Sequence, residues 1–239
     1  MTVSIGILAG MGPRSTAPFI DMLISECQSQ YAACFDMDFP RMHIISLPTP
    51  FWPGKQIDDQ AMIAALRSGI NELVRAGVSF IAVPCNLAHN YFNEMEQAAG
   101  DIPLLHIAGS AVQQIPHQVN SVTLLATEPT LEAGYWQQKL QAAGKQLFDT
   151  PQLRKLTTTL FSTIKHQGYQ SDAGCELWHQ ITGLIAENNS GAVLIACTDI
   201  SPLLDSGDYP FVTVDSAASL AQDVIRHYLH LREITANSV

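Results

Sequence analysis

Two of the five cysteines, Cys85 and Cys197, each close an apolar run and each precede a small polar residue, Asn86 or Thr198. In α/β chains the carboxyl end of a strand is where ligands bind. One cysteine in such a place is usually packing; a matched pair points to chemistry. Two thiols on opposite sides of one ligand suit a reaction in which one removes a proton and the other returns it to the opposite face. A proton beside a carboxylate is very weakly acidic, so the base must be a thiolate held close, with water excluded. A free thiol titrates at about 8.5 and needs neighbouring donors to ionise near neutrality. Asn86, Thr198 and the backbone N–H groups that follow are the candidate donors, and the same dipoles would stabilise a developing carbanion.

Elements that could position these thiols are legible as alternation. Short apolar runs at 5–9, 42–47, 80–83, 103–107, 122–126, 193–196 and 211–214 read as buried strands. Amphipathic stretches at 16–30, 59–76, 128–143, 172–187 and 216–231 read as helices between them. The expected fold class is α/β, with mainly parallel sheets flanked by helices. Gly77 and Gly144 sit where helices should end, and Pro13 and Pro129 where helices should begin. The segment 48–54, with three prolines, Phe51 and Trp52, cannot continue a central strand and is expected as a loop at a strand end.

An internal echo organises the chain. Ser4-Ile5-Gly6-Ile7-Leu8-Ala9 resembles Ser121-Val122-Thr123-Leu124-Leu125-Ala126 at an offset of 117, and Ile81 to Asn86 resembles Val193 to Thr198 at an offset of 112. Apolar strand starts can look alike by chance, but the two near-equal offsets suggest two similar lobes. The expected division is 1–115 with 216–239 as the first and 116–215 as the second. Each lobe then offers one cysteine to a shared active site in the cleft between them.

Composition narrows the chemistry further. Hydrophobic residues make up 47% and charged residues 14%, so this is not a disordered chain. Twelve Lys+Arg against 22 Asp+Glu give a net charge of −10, without basic runs, which argues against nucleic acid as a partner. No apolar run approaches the roughly 20 residues of a membrane span, and Met1-Thr2-Val3-Ser4 lacks the layout of a signal peptide. A cytoplasmic protein without a membrane partner is expected. Five cysteines with no Cys-x-x-Cys pair fit reduced thiols and no metal site.

Gly6-Ile7-Leu8-Ala9-Gly10-Met11-Gly12-Pro13 with Thr16, Pro84-Cys85-Asn86-Leu87-Ala88-His89, Leu124-Leu125-Ala126-Thr127 and Ala196-Cys197-Thr198-Asp199 resemble the motifs of the aspartate/glutamate racemase superfamily, its aspartate racemase branch in particular. The resemblance runs from Ile5 to Ala217. It implies that Cys85 and Cys197 are the two acid/base groups, without pyridoxal phosphate or metal. It further implies that Asn86, Thr127 and Thr198 hold the substrate α-carboxylate or steady the thiolates, and that Lys165 matches a lysine used for the side-chain carboxylate. Acidic amino acids are the implied substrates, and a homodimer the implied assembly.

Several positions depart from the family pattern. Leu87 stands where a threonine is usual, Ala196 where a glycine is, and Asp199 where a glutamate is. The arginine expected in the loop after the second strand is missing from 48–56, where Lys55 is the nearest cation, and lysine cannot reproduce the arginine fork on a carboxylate. Gly10, Met11 and Gly12 are read as a tight turn that either approaches a substrate carboxylate or is structural; a dinucleotide loop would need a third glycine. Two rival functions remain at this level. One is a cysteine-dependent maleate isomerase or malonate decarboxylase-like enzyme, the other a relative that binds an amino or dicarboxylic acid without turnover. His89 and His106 are read as satisfied structural histidines, and Cys27, Cys34 and Cys175 as packed or exposed thiols. Phe51 and Trp52 either cover a ligand or fill a contact, and Asp36 and Asp38 form a solvated turn.

Overall fold

A computed structural model describes residues 3–52, 55–188, 190–206 and 209–237. Pro53 and Gly54 of the proline-rich loop, and Met1 and Thr2 of the opening segment, lie outside them. The chain divides into two compact units, Met1–Ile107 with Leu220–Val239, and Ala108–Ser219.

The first unit is built on β1 (Ser4–Ala9), α1 (Thr16–Tyr31), β2 (Arg41–Ser46), α2 (Asp59–Arg75), β3 (Phe80–Ala82), α3 (Phe92–Ala99) and β4 (Leu104–Leu105), with α4 (Ile107–Val112) leading out of it. All strand pairs are parallel, in the order β2-β1-β3-β4. Every residue of β1 is buried, as a central strand covered on both faces requires, whereas β2 at the edge keeps Arg41, Ile44 and Ser46 exposed. Helix α2 starts at Asp58, whose carboxylate accepts from the Ala61 N–H at 3.0 Å. It buries Met62, Leu66, Ile70 and Leu73 at helical spacing, each worth about 2 kcal/mol of apolar transfer.

The second unit repeats the plan with β5 (Ser121–Ala126), α5 (Glu128–Glu132), α6 (Tyr135–Ala142), β6 (Gln146–Phe148), α7 (Pro151–Gln167), α8 (Asp172–Glu187), β7 (Ala192–Ala196) and β8 (Val212–Asp215). Its parallel sheet has the order β6-β5-β7-β8. The last helix, α9 (Ser216–Ala236), begins here and belongs to the first unit from Leu220 onward. The two echo segments therefore occupy equivalent places: β1 and β5 are second in their sheets, β3 and β7 third.

Several expectations need correction. The helix expected over 128–143 is two helices, because Gly134 adopts φ +76 between them. The strand expected over 103–107 stops at Leu105, since Ile107 opens α4 and sends its N–H to His89. Helices α3 and α7 and the three-residue β6 were not expected. Gly77 and Gly144 do follow helices with φ +73 and +70, and 48–52 carries no strand.

Candidate active-site segments at the strand ends

In each sheet the first strand of the unit has its successor on one side and the third strand on the other. Connections therefore diverge between β1 and β3, and again between β5 and β7. Loops leaving the carboxyl ends of such a strand pair make the crevice where open α/β sheets bind ligands. The loops that leave here are Gly10-Met11-Gly12 and Pro84-Cys85-Asn86 in one unit, and Thr127 and Cys197-Thr198-Asp199 in the other.

Cys85 is 7% exposed, and its N–H turns back to the Val83 carbonyl oxygen at 2.8 Å, bending the chain sharply at Pro84. Asn86, buried at 3%, starts a short 3-10 turn over Leu87–Tyr91 that runs into α3, and its carbonyl oxygen accepts from the His89 N–H at 3.1 Å. Leu87 packs against the α2/α3 core. The His89 ring lies behind the cysteine. Its Nε2 accepts from the Ile107 N–H at 3.1 Å, so the proton sits on Nδ1, which donates to the Cys85 carbonyl oxygen at 2.9 Å. Burial holds this imidazole neutral, down to about 4 from its ordinary value near 6.5. A ring satisfied at both nitrogens by backbone is a strut that fixes the cysteine turn. His106, half-buried outside the strand, lies 5.0 Å from the His89 ring and 4.5 Å from that of Phe92, centre to centre.

Gly10 has φ +93, and a Cβ there would stand 2.5 Å from the Leu47 nitrogen and 2.8 Å from the Leu47 oxygen. Only glycine lets this turn pass so close to the end of β2. Its N–H donates to the Thr16 hydroxyl at 3.1 Å. Gly12 precedes a 3-10 turn at Pro13–Ser15 and receives both the Ser15 N–H and the Ser15 hydroxyl on its carbonyl oxygen. Met11 packs partly buried beside the first core. Lys55 is exposed, with its ammonium 5.7 Å from the Trp52 ring centre.

In the second unit Ala126 pairs with Ala196, so one further step in register sets Thr127 level with Cys197. Thr127 opens α5, and its hydroxyl lies 2.9 Å from that of Thr130. Arg154 near the start of α7 braces this loop from outside. It makes two contacts to Asp149 through Nε, at 2.8 and 3.0 Å, and one to Glu128 at 3.1 Å. Its signal in the sequence is slight, an arginine four residues after the Thr150 cap and five after Asp149. Cys197 is part-buried against the α7/α8 core, and its carbonyl oxygen accepts from the Ile200 N–H at 3.0 Å. Thr198 beside it is 6% exposed.

Lys165 comes from α7 to the same strand end. Its ammonium donates to Asp199 Oδ2 at 2.7 Å, with the carboxylate side chain 9% exposed and the lysine 28%. The lysine singled out for a substrate carboxylate thus holds a carboxylate of the protein, two residues from Cys197. Among the described residues no cluster of three or more His, Cys, Asp or Glu is arranged to hold a metal, and no helix is long and apolar enough to cross a membrane.

A model of the Asp/Glu/Hydantoin racemase family matches residues 8–224. The broad specificity amino-acid racemase RacX of Bacillus subtilis is 37% identical over 225 residues, covering 94% of this chain and 98% of that one. The Picrophilus torridus aspartate racemase superposes with a TM-score of 0.80 at 22% identity, over 95% of this chain and 94% of that one. Glutamate racemase from Francisella tularensis gives 0.67 at 14% identity, over 97% and 82%. At such identities the two structures speak to the fold, which is theirs.

Proposed function

We propose, for a chain that belongs to the Asp/Glu/Hydantoin racemase family, a pyridoxal-phosphate-independent racemisation of amino acids in which Cys85 and Cys197 act on opposite faces of the substrate Cα. One cysteine, as thiolate, takes the Cα proton; the carbanion then receives the proton of the other thiol on its far side. The two sulfurs end with their protonation exchanged, and the reverse reaction restores them. The observation that carries this reading is the equivalence of the two cysteines. Each follows the third strand of a sheet of the same order, beside the loop that leaves the first strand.

The supporting parts have distinct duties in this proposal. Asn86, Thr127 and Thr198 receive the α-carboxylate or steady the thiolates, where fixed dipoles favour the charge that develops. The Gly10-Met11-Gly12 turn and Leu87 shape the surroundings of Cys85, Lys165 governs the side-chain end, and Lys55 is a peripheral cation. His89 keeps the Cys85 turn in place and transfers no proton, being neutral and engaged by backbone at both nitrogens. A homodimer in the cytoplasm completes the reading. Its location is supported by cysteine usage in the sequence, an odd number spread thinly without a Cys-x-x-Cys pair, as in a reducing compartment.

The deciding experiment is incubation of single enantiomers of aspartate, glutamate and neutral amino acids in deuterium oxide, with Cα–H loss followed by NMR. Loss accompanied by the opposite enantiomer is expected. Exchange with retained configuration would leave only one working base, and no exchange with any amino acid would sink the proposal.

A further inference from the structure

Resting on the racemase reading, we infer that the Lys165–Asp199 pair sets the side-chain preference, making the site nearly indifferent to a substrate side-chain carboxylate. Lys165 carries the cation at the Cys197 strand end that a second carboxylate would seek, and Asp199 Oδ2 meets it at 2.7 Å. Asp199 is the more deeply sheltered partner, at 9% side-chain exposure. Its negative charge is therefore little screened and acts on whatever approaches the ammonium. An incoming side-chain carboxylate meets a neutral pair and must compete with Asp199 for the same ammonium. Residues 48–52 and 55–56 supply no arginine, and the Lys55 ammonium lies over Trp52. An uncharged side chain of the same shape suffers no such competition. Acidic amino acids are then accepted without being favoured over their amides, and Asp199 is the residue that determines this.

Glutamate against glutamine, and aspartate against asparagine, isolate the charge, because each pair is nearly isosteric. Wild-type protein should show Cα exchange with kcat/KM for acid and amide within about tenfold of each other. Asp199→Asn keeps the shape and a hydrogen-bond acceptor while removing the negative charge beside the ammonium, and should raise the acid-to-amide ratio by at least about tenfold. Lys165→Met leaves the Asp199 charge uncovered, and should lower that ratio and favour ornithine and lysine instead. The ratios are internal, so a general loss of rate near Cys197 does not disturb them. If one variant fails to fold by circular dichroism, the other still decides. A wild-type preference for the acids of a hundredfold, or ratios unmoved in a folded variant, would overturn the inference while leaving the racemase intact. No exchange with any amino acid would overturn both.

Discussion

The Nδ1 of His89 donates to the carbonyl oxygen of Cys85 across 2.9 Å, four residues back in the chain, while Nε2 takes the N–H of Ile107. One ring thus ties the turn that carries a thiol to the start of the helix after β4. A charged imidazole would have a second N–H and no acceptor for Ile107. The neutral form is therefore the folded form.

Stability should fall on mild acidification for this reason. The unfolded chain protonates His89 near 6.5, the native one only near 4, so the contribution is complete above about pH 6.5 and is lost as pH falls toward 4. The window corresponds to about 3 kcal/mol at most. His227, lowered by burial, adds in the same direction. Urea titrations between pH 7 and 4 should show the decline. His89→Gln should be less stable at pH 7 by about 2 kcal/mol and show a shallower decline; an unchanged slope would contradict the assignment.

Under the proposed two-base reaction, Cys85 and Cys197 should each be indispensable for inversion, but each for only one direction of exchange. Cys85→Ser and Cys197→Ser should each reduce racemisation at least about a hundredfold, as loss of a positioned acid or base does. In deuterium oxide the two variants should differ in which enantiomer still exchanges without inversion. Identical enantiomer profiles would argue against one base per face.

Gly10→Ala should cost about 2 kcal/mol or more, from φ +93 together with a Cβ 2.5 Å from the Leu47 nitrogen. Thermal unfolding measures it directly. Gly77→Ala shares the positive φ but meets no atom within 4 Å, so it should cost less. Equal losses at the two positions would mean that close approach contributes nothing.

Lys145→Ala should loosen the segment before β5. The Lys145 ammonium donates to three carbonyl oxygens, of Pro116, His117 and Val119, at 2.7 to 3.2 Å. A loss of about 1 kcal/mol is expected, with faster amide exchange confined to the neighbourhood of Val119. Unchanged exchange there would show the three contacts to be slack.

Strands with strong apolar character were legible in the sequence, as were the thiols at their ends, because continuous burial leaves continuous apolar runs. Ser4–Ala9 and Ala192–Ala196 are buried throughout and read so. Strand β6, with three residues at a sheet edge between Lys145 and Asp149, leaves no such run. Helix α7 opens with Thr150 as its cap and Pro151 at its first position, a start signal, but threonines 157 to 159 interrupt its apolar stripe. Family resemblance marked Lys165 as a reader of substrate charge. Its pairing with Asp199 joins α7 to the end of β7, 34 residues apart, and such a tertiary contact has no local signature. His89 was legible only as a structural histidine; which backbone groups it serves depends on where α4 begins.

The first unit is interrupted in sequence, since Leu220–Val239 completes what Met1–Ile107 begins. Helix α9 gives that unit the buried Leu220, Val224, Ile225 and Tyr228, and its His227 ring meets Phe80 edge-on at 4.6 Å. During synthesis the ribosome therefore delivers the whole of Ala108–Ser219 before the earlier unit can close over its own sheet. The segment bearing Cys197 can mature while the one bearing Cys85 waits for the last helix to emerge. The nascent chain would hold an exposed sheet face through that interval, and truncation within α9 would release a product folded in its middle and open at its beginning.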